Sequence, residues 1–420
     1  MSAREGRQDA RGLFARLSGQ APVHWDPYAG TWLVSGRAEV ARVCSGEEYS
    51  AVRLSALGRT AAPGAAVGVR EQVGDMLARQ ALFLDGAAHT AWARVIRRAL
   101  APARIDALAP WILHRVGELA GAGGHRHLDV ATDLARPLPL EVIARLFGLP
   151  GADLPALRAW SDAYTRIVTG IAPETDPGVY DQLAEFTDYA RDLIRHRRAA
   201  PGPDSLSALI AGTDATVAAD DTDIAANLLM LIAAGHQTTT GFLAGAVLER
   251  VRPSWGPLRE DLSREDEVEE LLTRVSPSRF VGRTVTKDTE LGGQRLRAGQ
   301  SVVVLLAAAN WSALTDRANA NSAGPARHSA FGHGRHRCPG ARLARLEGKL
   351  VLDHLFGTGR HPTLSRPTVP WSDNVNLPCP LHVPLSLDAP ASKKAPHDVG
   401  QGPPGHAPRR SPQHLRGRHD

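Results

Sequence analysis

Cysteines occur at positions 44, 338 and 379, and one of them sits in a setting suited to a sulfur that does chemistry. The stretch Phe331-Gly332-His333-Gly334-Arg335-His336-Arg337-Cys338-Pro339-Gly340 fences Cys338 with glycines and leads into 341–350, where apolar residues recur at helical spacing. A thiolate is a nucleophile and a metal ligand, and it persists only in a favourable field. Pro339 suits the first position of a helix, which has no use for its missing N–H. The positive end of that helix is expected to lower the pKa of Cys338. Glycines let the backbone turn tightly and approach a flat ligand. The plainer alternative is a buried structural cysteine in a glycine-rich turn. Three glycines at fixed offsets arise by composition about three times in ten thousand, since glycine runs near about 7% in proteins. Phe331, His336 and Cys338 at their own offsets make coincidence a poor account.

The filled pattern F-G-x-G-x-H-x-C-x-G resembles the haem-binding signature of the cytochrome P-450 family. The resemblance covers about residues 25–387. It implies a mainly α fold with small β-sheets: a helical haem domain over 1–387 with a minor β-rich region. It also implies haem b as cofactor and Cys338 as the iron ligand, a thiolate that pushes electron density to the metal and favours O–O cleavage. Phe331 and Gly332 would lie against the haem. His336 and Arg283, the latter on the strand pattern 278–285, would reach its propionates. The segment from Leu84 to Arg94 is similar to the family's D-P-P-x-H-T-x-x-R-R, which adds His89 as a propionate ligand. The arginine expected four residues after His89 is Ala93, with Arg94 a possible substitute.

An element on the other face of the cofactor must hold oxygen. The longest helical pattern, 221–251, is interrupted by Ala234-Gly235-His236-Gln237-Thr238-Thr239-Thr240, poor residues for a helix interior. A local rule broken in mid-helix often marks a functional site. The segment is similar to the family's A-G-x-(D/E)-T-T groove. On that resemblance Ala234 and Gly235 leave room for O2, and Thr238 with Gln237 manages oxygen and protons. Gln237 stands where the family has an acid, and glutamine cannot donate and recover a proton near pH 7.

Two further segments depart from the family. Its Glu-x-x-Arg pair reads here as Glu270 to Thr273, with Arg274 one residue late, about 100° further round the helix. Glu270 and Arg274 are expected to form an ordinary surface pair. The segment 311–325 lacks the family's usual meander, and Arg317 is the candidate displaced partner.

Other helices are expected at 8–18, 37–45, 103–121, 131–147, 151–170, 178–199 and 264–275. Strands are expected at 31–36, 128–130 and 301–306, and a hairpin around Gly292-Gly293. Residues 54–80 read as a glycine- and alanine-rich loop, 169–178 as a hinge, and 388–420 as a basic, proline-rich, disordered tail. That tail carries six Lys or Arg against three Asp. The net charge of +5 comes with no nucleic-acid motif, so nucleic acid is not the expected partner. No apolar leader or membrane-spanning run is seen, and too few cysteines occur for a disulfide framework. A cytoplasmic monomer follows as the expectation.

No flavin or iron–sulfur motif accompanies the haem signature, so electrons are expected from a ferredoxin-type partner. Arg335, Arg337, Arg342, Arg345, Lys349, Arg97 and Arg98 form a basic face for it near Cys338. The function expected is that of a monooxygenase, hydroxylating or epoxidising a small apolar or natural-product-like substrate in secondary metabolism. Two alternatives stand beside it. One is a catalytically impaired scaffold, suggested by Thr273, Ala93 and the altered 311–325 segment. The other is a haem-thiolate enzyme running a peroxide-fed or non-hydroxylating oxidation, suggested by Gln237.

Overall fold

A computed structural model describes residues 10–52, 67–121, 127–170, 175–217, 219–320, 328–357 and 361–387. The expected tail at 388–420, residues 54–66 of the 54–80 loop, part of the 169–178 hinge and part of the 311–325 segment lie outside these residues, as does the Arg317 side chain. The fold is predominantly helical with small sheets, as the resemblance implied.

The first helices are α1 (Ala10–Gln20), α2 (Arg37–Ser45), α3 (Val67–Ala78), α4 (Gly86–Ala99), α5 (Pro102–Asp106), α6 (Ala109–Gly121) and α7 (Pro137–Phe147). They are followed by α8 (Leu154–Thr169), α9 (Pro177–Ala199), α10 (Ser205–Thr216), α11 (Asp221–Val251), α12 (Arg264–Val275), α13 (Leu306–Ala320) and α14 (Ala341–Phe356). Helix α3 replaces part of the loop expected at 54–80. Helices α10 and α13 were not anticipated, α13 because its alanines continue the apolar run of the preceding strand without a break.

The main sheet has the order β1 (Val23–Asp26), β2 (Thr31–Val34), β8 (Ser301–Val304), β5 (Val281–Val285), β3 (Tyr49–Ser50). Its β2–β8 pair is parallel, with Thr31 opposite Ser301, and joins the two ends of the fold. A second sheet sets β10 (Pro384–Ser386) between β4 (His127–Asp129) and β9 (Thr363–Leu364). Strands β6 (Thr289–Leu291) and β7 (Gln294–Leu296) form the expected hairpin, and Gly292 and Gly293 both take positive φ, at 55° and 76°.

Helix α11 runs through the middle. Asp220 starts it with a capping box: its side chain accepts from the Asp223 N–H at 2.8 Å, and Asp223 accepts from the Asp220 N–H at 2.9 Å. It is 31 residues long and buried nearly all round, packing against α7, α8, α9, α12 and α14. Among the described residues no helix is long and apolar enough to cross a membrane.

Candidate functional site

The cysteine loop is held from three sides. The Cys338 N–H donates to the Phe331 carbonyl at 2.9 Å, closing the loop on itself. Gly334, at φ 67°, lies so near α2 that an added Cβ would stand 2.7 Å from the Ser45 Cα. Arg335 Nη2 donates to the Gly46 carbonyl at 2.9 Å and the Tyr49 carbonyl at 3.3 Å. Helix α14 begins at Ala341 with Gly340 as its cap, so Pro339 sits just before the helix instead of opening it.

Cys338 is exposed, whereas Cys44 is buried and Cys379 intermediate. Even so, surrounding protein desolvates the sulfur, and this raises its pKa despite the Gly340 N–H and the charges of Arg345 and Arg337. The expected lowering is therefore not found: the helix end points its N–H at the sulfur, but desolvation outweighs it. A bound cation beside the sulfur would reverse the balance.

Beside the loop, His336 and His89 stack with ring centroids 4.0 Å apart. His336 Nε2 stands 3.4 Å from Asp85 Oδ1, at the start of α4. Burial opposes charge on Asp85, but hydrogen bonds from Ser50, His336 and the Ala51 N–H outweigh it and keep the carboxylate below its usual pKa. Burial, His89 and Arg283 pull His336 down to about 4. The two shifts agree on one picture, a neutral imidazole with its proton on Nε2 facing a charged carboxylate. Arg283 is buried in β5, donates to the Gly282 carbonyl at 2.8 Å, and acts on both histidines. The structure thus brings His336, His89 and Arg283 together. Burial lowers the His89 pKa, and Arg335, Arg97 and Arg283 add to the effect. Asp85 opposes them; of the arginines on α4, Arg97, two turns along, acts on His89 and Arg94 does not.

On α11 the sequence of burial breaks in one place. Ala234 is exposed and Gly235, Gln237 and Thr238 are half-buried in the middle of an otherwise buried helix. The Thr238 hydroxyl donates to the Ala234 carbonyl at 2.7 Å. Gly235 serves a different need from the one expected: an added Cβ would stand 2.5 Å from Ile143 Cδ1, so its smallness lets α7 approach. Gln237 Nε2 donates to Asp162 Oδ1 of α8 at 2.5 Å. Burial raises the Asp162 pKa. His236 is buried, its Nδ1 2.9 Å from the Ser161 hydroxyl, and burial brings its pKa to about 4. Sequence reasoning passed over Asp162, His236 and Asp85.

Behind the sulfur, α12 carries two acids with different partners. Glu269 accepts two hydrogen bonds from Arg345 of α14, at 2.5 and 2.9 Å, and lies 3.1 Å from His328 Nε2. Glu270 accepts from Arg274 Nε at 2.9 Å, and their side chains are only 2% and 6% exposed. The surface pair expected there is thus a buried one, because α12 is packed among α11, α13 and α14. Arg274 also donates to the Gly256 carbonyl at 2.8 Å and lies 3.5 Å from Glu249. Asn310 extends the network to the loop, donating to Ser276 at 2.9 Å and accepting from the Ser329 N–H at 2.6 Å. Arg274 gives Glu270 a buried partner that Thr273 does not.

The basic face is smaller than expected. Arg342 pairs with Asp106 at 2.6 Å, Arg345 with Glu269, and Lys349 with Asp353 at 3.0 Å. Arg97, Arg98 and Arg337 are exposed and have no carboxylate partner among the described residues.

The Cys338 thiol with the Gly340 N–H on its sulfur, the grouped His336, His89 and Arg283 for anionic arms, and a small-residue face on a buried helix fit a haem. A scan against protein-family models finds no match. Erythromycin C-12 hydroxylase of Saccharopolyspora erythraea is 32% identical over 295 residues, covering 67% of this chain and 74% of that protein. Cytochrome P450 130 of Mycobacterium tuberculosis is 28% identical over 317 residues, covering 72% of this chain and 77% of that one. The ligand-free crystal structure of Mycobacterium smegmatis CYP164A2 is 27% identical and superposes with a TM-score of 0.76, over 91% of this chain and 97% of that one.

Proposed function

Because the chain belongs to the cytochrome P450 family, whose members are haem-dependent monooxygenases, we propose that it oxidises a small apolar or natural-product-like molecule with O2 and electrons from a ferredoxin-type protein. Haem b, when bound, supplies the activation of O2 and the one-electron chemistry. Cys338 holds the iron. His336, His89 and Arg283 meet the propionates, with Phe331 and Gly332 against the macrocycle. Ala234 leaves space on the opposite side, where Gly235 keeps α11 close to α7.

The Thr238 hydroxyl, held by the Ala234 carbonyl at 2.7 Å, would be free to release that bond and hold a proton at the oxygen-facing side of the groove. Gln237 orients that corner without titrating. The carboxylate missing from position 237 stands one hydrogen bond away at Asp162, raised in pKa and open to solvent. Protons enter by that route. Arg97, Arg98 and Arg337 steer the acidic electron donor. The protein acts as a cytoplasmic monomer, with no nucleic-acid partner, in secondary metabolism.

The observation that carries this reading is the exposed Cys338, with the Gly340 N–H on its sulfur and His336, His89 and Arg283 grouped beside it. The test is the optical spectrum of the purified, reduced protein under carbon monoxide. A Soret band at the position diagnostic of thiolate ligation is expected, and a protein without haem after haem-supplemented growth overturns the reading. Gln237 favours a second reading, a peroxide-fed or non-hydroxylating oxidation. Turnover driven by hydrogen peroxide but not by ferredoxin and reduced nicotinamide would select it.

A further inference from the structure

We propose that Glu269, Arg345 and His328 form a charge-compensated clamp that sets the reduction potential of the haem iron through Cys338; this rests on the haem-thiolate reading above. The cluster reaches the sulfur by two routes. Through contacts, the Arg345 guanidinium lies 4.5 Å over the Phe331 ring, whose carbonyl accepts the Cys338 N–H at 2.9 Å. The His328 ring packs 5.6 Å from the same phenylalanine. Through space, the Arg345 charge acts directly on the Cys338 sulfur.

The protonation states follow from geometry. The Ala330 N–H donates to His328 Nδ1 at 3.1 Å, so Nδ1 is an acceptor and Nε2 carries the proton that reaches Glu269 at 3.1 Å. The imidazole is neutral in that arrangement. Burial works against the Glu269 charge, but hydrogen bonds from Arg345 and His328 bring its pKa to about 2, so it stays ionised. One negative and one positive charge remain, and the cluster sums to zero behind the sulfur. Both side chains are about a third exposed or less, at 27% and 33%, so solvent screens them only in part.

Reduction of ferric to ferrous iron adds one negative charge to the centre. Local net charge, hydrogen bonding at the ligand and burial are the levers a protein has on that step. Removing the carboxylate leaves an unbalanced positive charge and favours the reduced state. Removing the guanidinium leaves an unbalanced negative charge and disfavours it. Glu269 and Arg345 are positioning residues in this account, since neither touches the cofactor.

The test is the ferric/ferrous midpoint potential of the holoprotein, followed by spectroelectrochemistry. Glu269→Gln is expected to shift it positive and Arg345→Gln negative. The double variant is expected to return toward the wild-type value. A merely structural clamp would move both single variants the same way, and that result, or no movement with the thiolate carbon monoxide band intact, overturns the inference. Should either glutamine variant lose haem, Glu269→Asp and Arg345→Lys keep the charges and must keep the wild-type potential; a shift there overturns it too. A wild-type protein with no thiolate band would sink the monooxygenase reading instead, so the two failures are told apart.

Discussion

Around Cys338 nearly every polar group is tied to a different element: Arg335 to the residues after α2, Arg345 to α12, Asn310 to both α12 and the loop. Along the groove of α11 the bonds are fewer and reach a single neighbouring helix, α8. Thr238 bonds back to its own helix, and Gln237 Nε2 donates to Asp162 with the Ser161 hydroxyl and His236 Nδ1 also in reach. The sulfur side is held by redundant partners, and it therefore survives a change of wiring. Losing arginine at position 273 is answered by Arg274 from the next position, because both sides of α12 are enclosed. The groove side has no such redundancy. The Thr238 hydroxyl sits in a single bond that a ligand can displace, which suits a group that must trade partners during a reaction cycle.

That contrast can be broken experimentally. The largest effect is expected at the sulfur: Cys338→Ala should abolish the thiolate carbon monoxide band altogether. Next is the buried pair. Glu270→Ala leaves Arg274 charged and short of a partner, and about 3–5 kcal/mol of stability should be lost in urea unfolding. A loss under about 1 kcal/mol would mean that Glu249 and the Gly256 carbonyl suffice, and the redundancy would be greater still.

Acid provides a third probe. The folded pKa of His236 is about 4 against an ordinary 6.5, so the unfolded chain takes the proton first. Stability should be level above pH 6.5 and fall between 6.5 and 4, by up to about 3 kcal/mol from this group. His336 adds to the same window, so the part due to His236 is the difference between wild type and His236→Gln. Smallest in stability, within about 0.5 kcal/mol, is Thr238→Ala. It should keep the band yet divert several-fold more reducing equivalents to hydrogen peroxide, read as peroxide formed per nicotinamide consumed. Asp162→Asn should do the same with Thr238 intact, and unchanged coupling in both would remove proton handling from the groove.

Features written in short range were legible in the sequence. The limits of α11 at 221 and 251 follow from apolar residues recurring at helical spacing on both sides of the interrupted stretch, and the hairpin from Gly292-Gly293. The loop around Cys338 shows in its spacing alone. The unread parts are joined across the chain. Arg345 meets Glu269 over 76 positions and Gln237 meets Asp162 over 75, and no local period marks such pairs. The adjacent acids Glu269 and Glu270 looked alike, although one faces α14 and the other the interior. Gly235 was assigned to oxygen because its neighbours fitted a motif, while the side chain that limits it, Ile143, belongs to another helix.

Gly334 rests against the backbone of Cys44 and Ser45, residues synthesised well before it. The ribosome therefore delivers α2 long before the segment that covers its end, and the parallel β2–β8 pairing imposes the same wait on the sheet. The loop around Cys338 can close against α2 only after both segments have emerged. A shortened gene product lacking α2 would keep the whole signature around Cys338 and still have no wall to close it against.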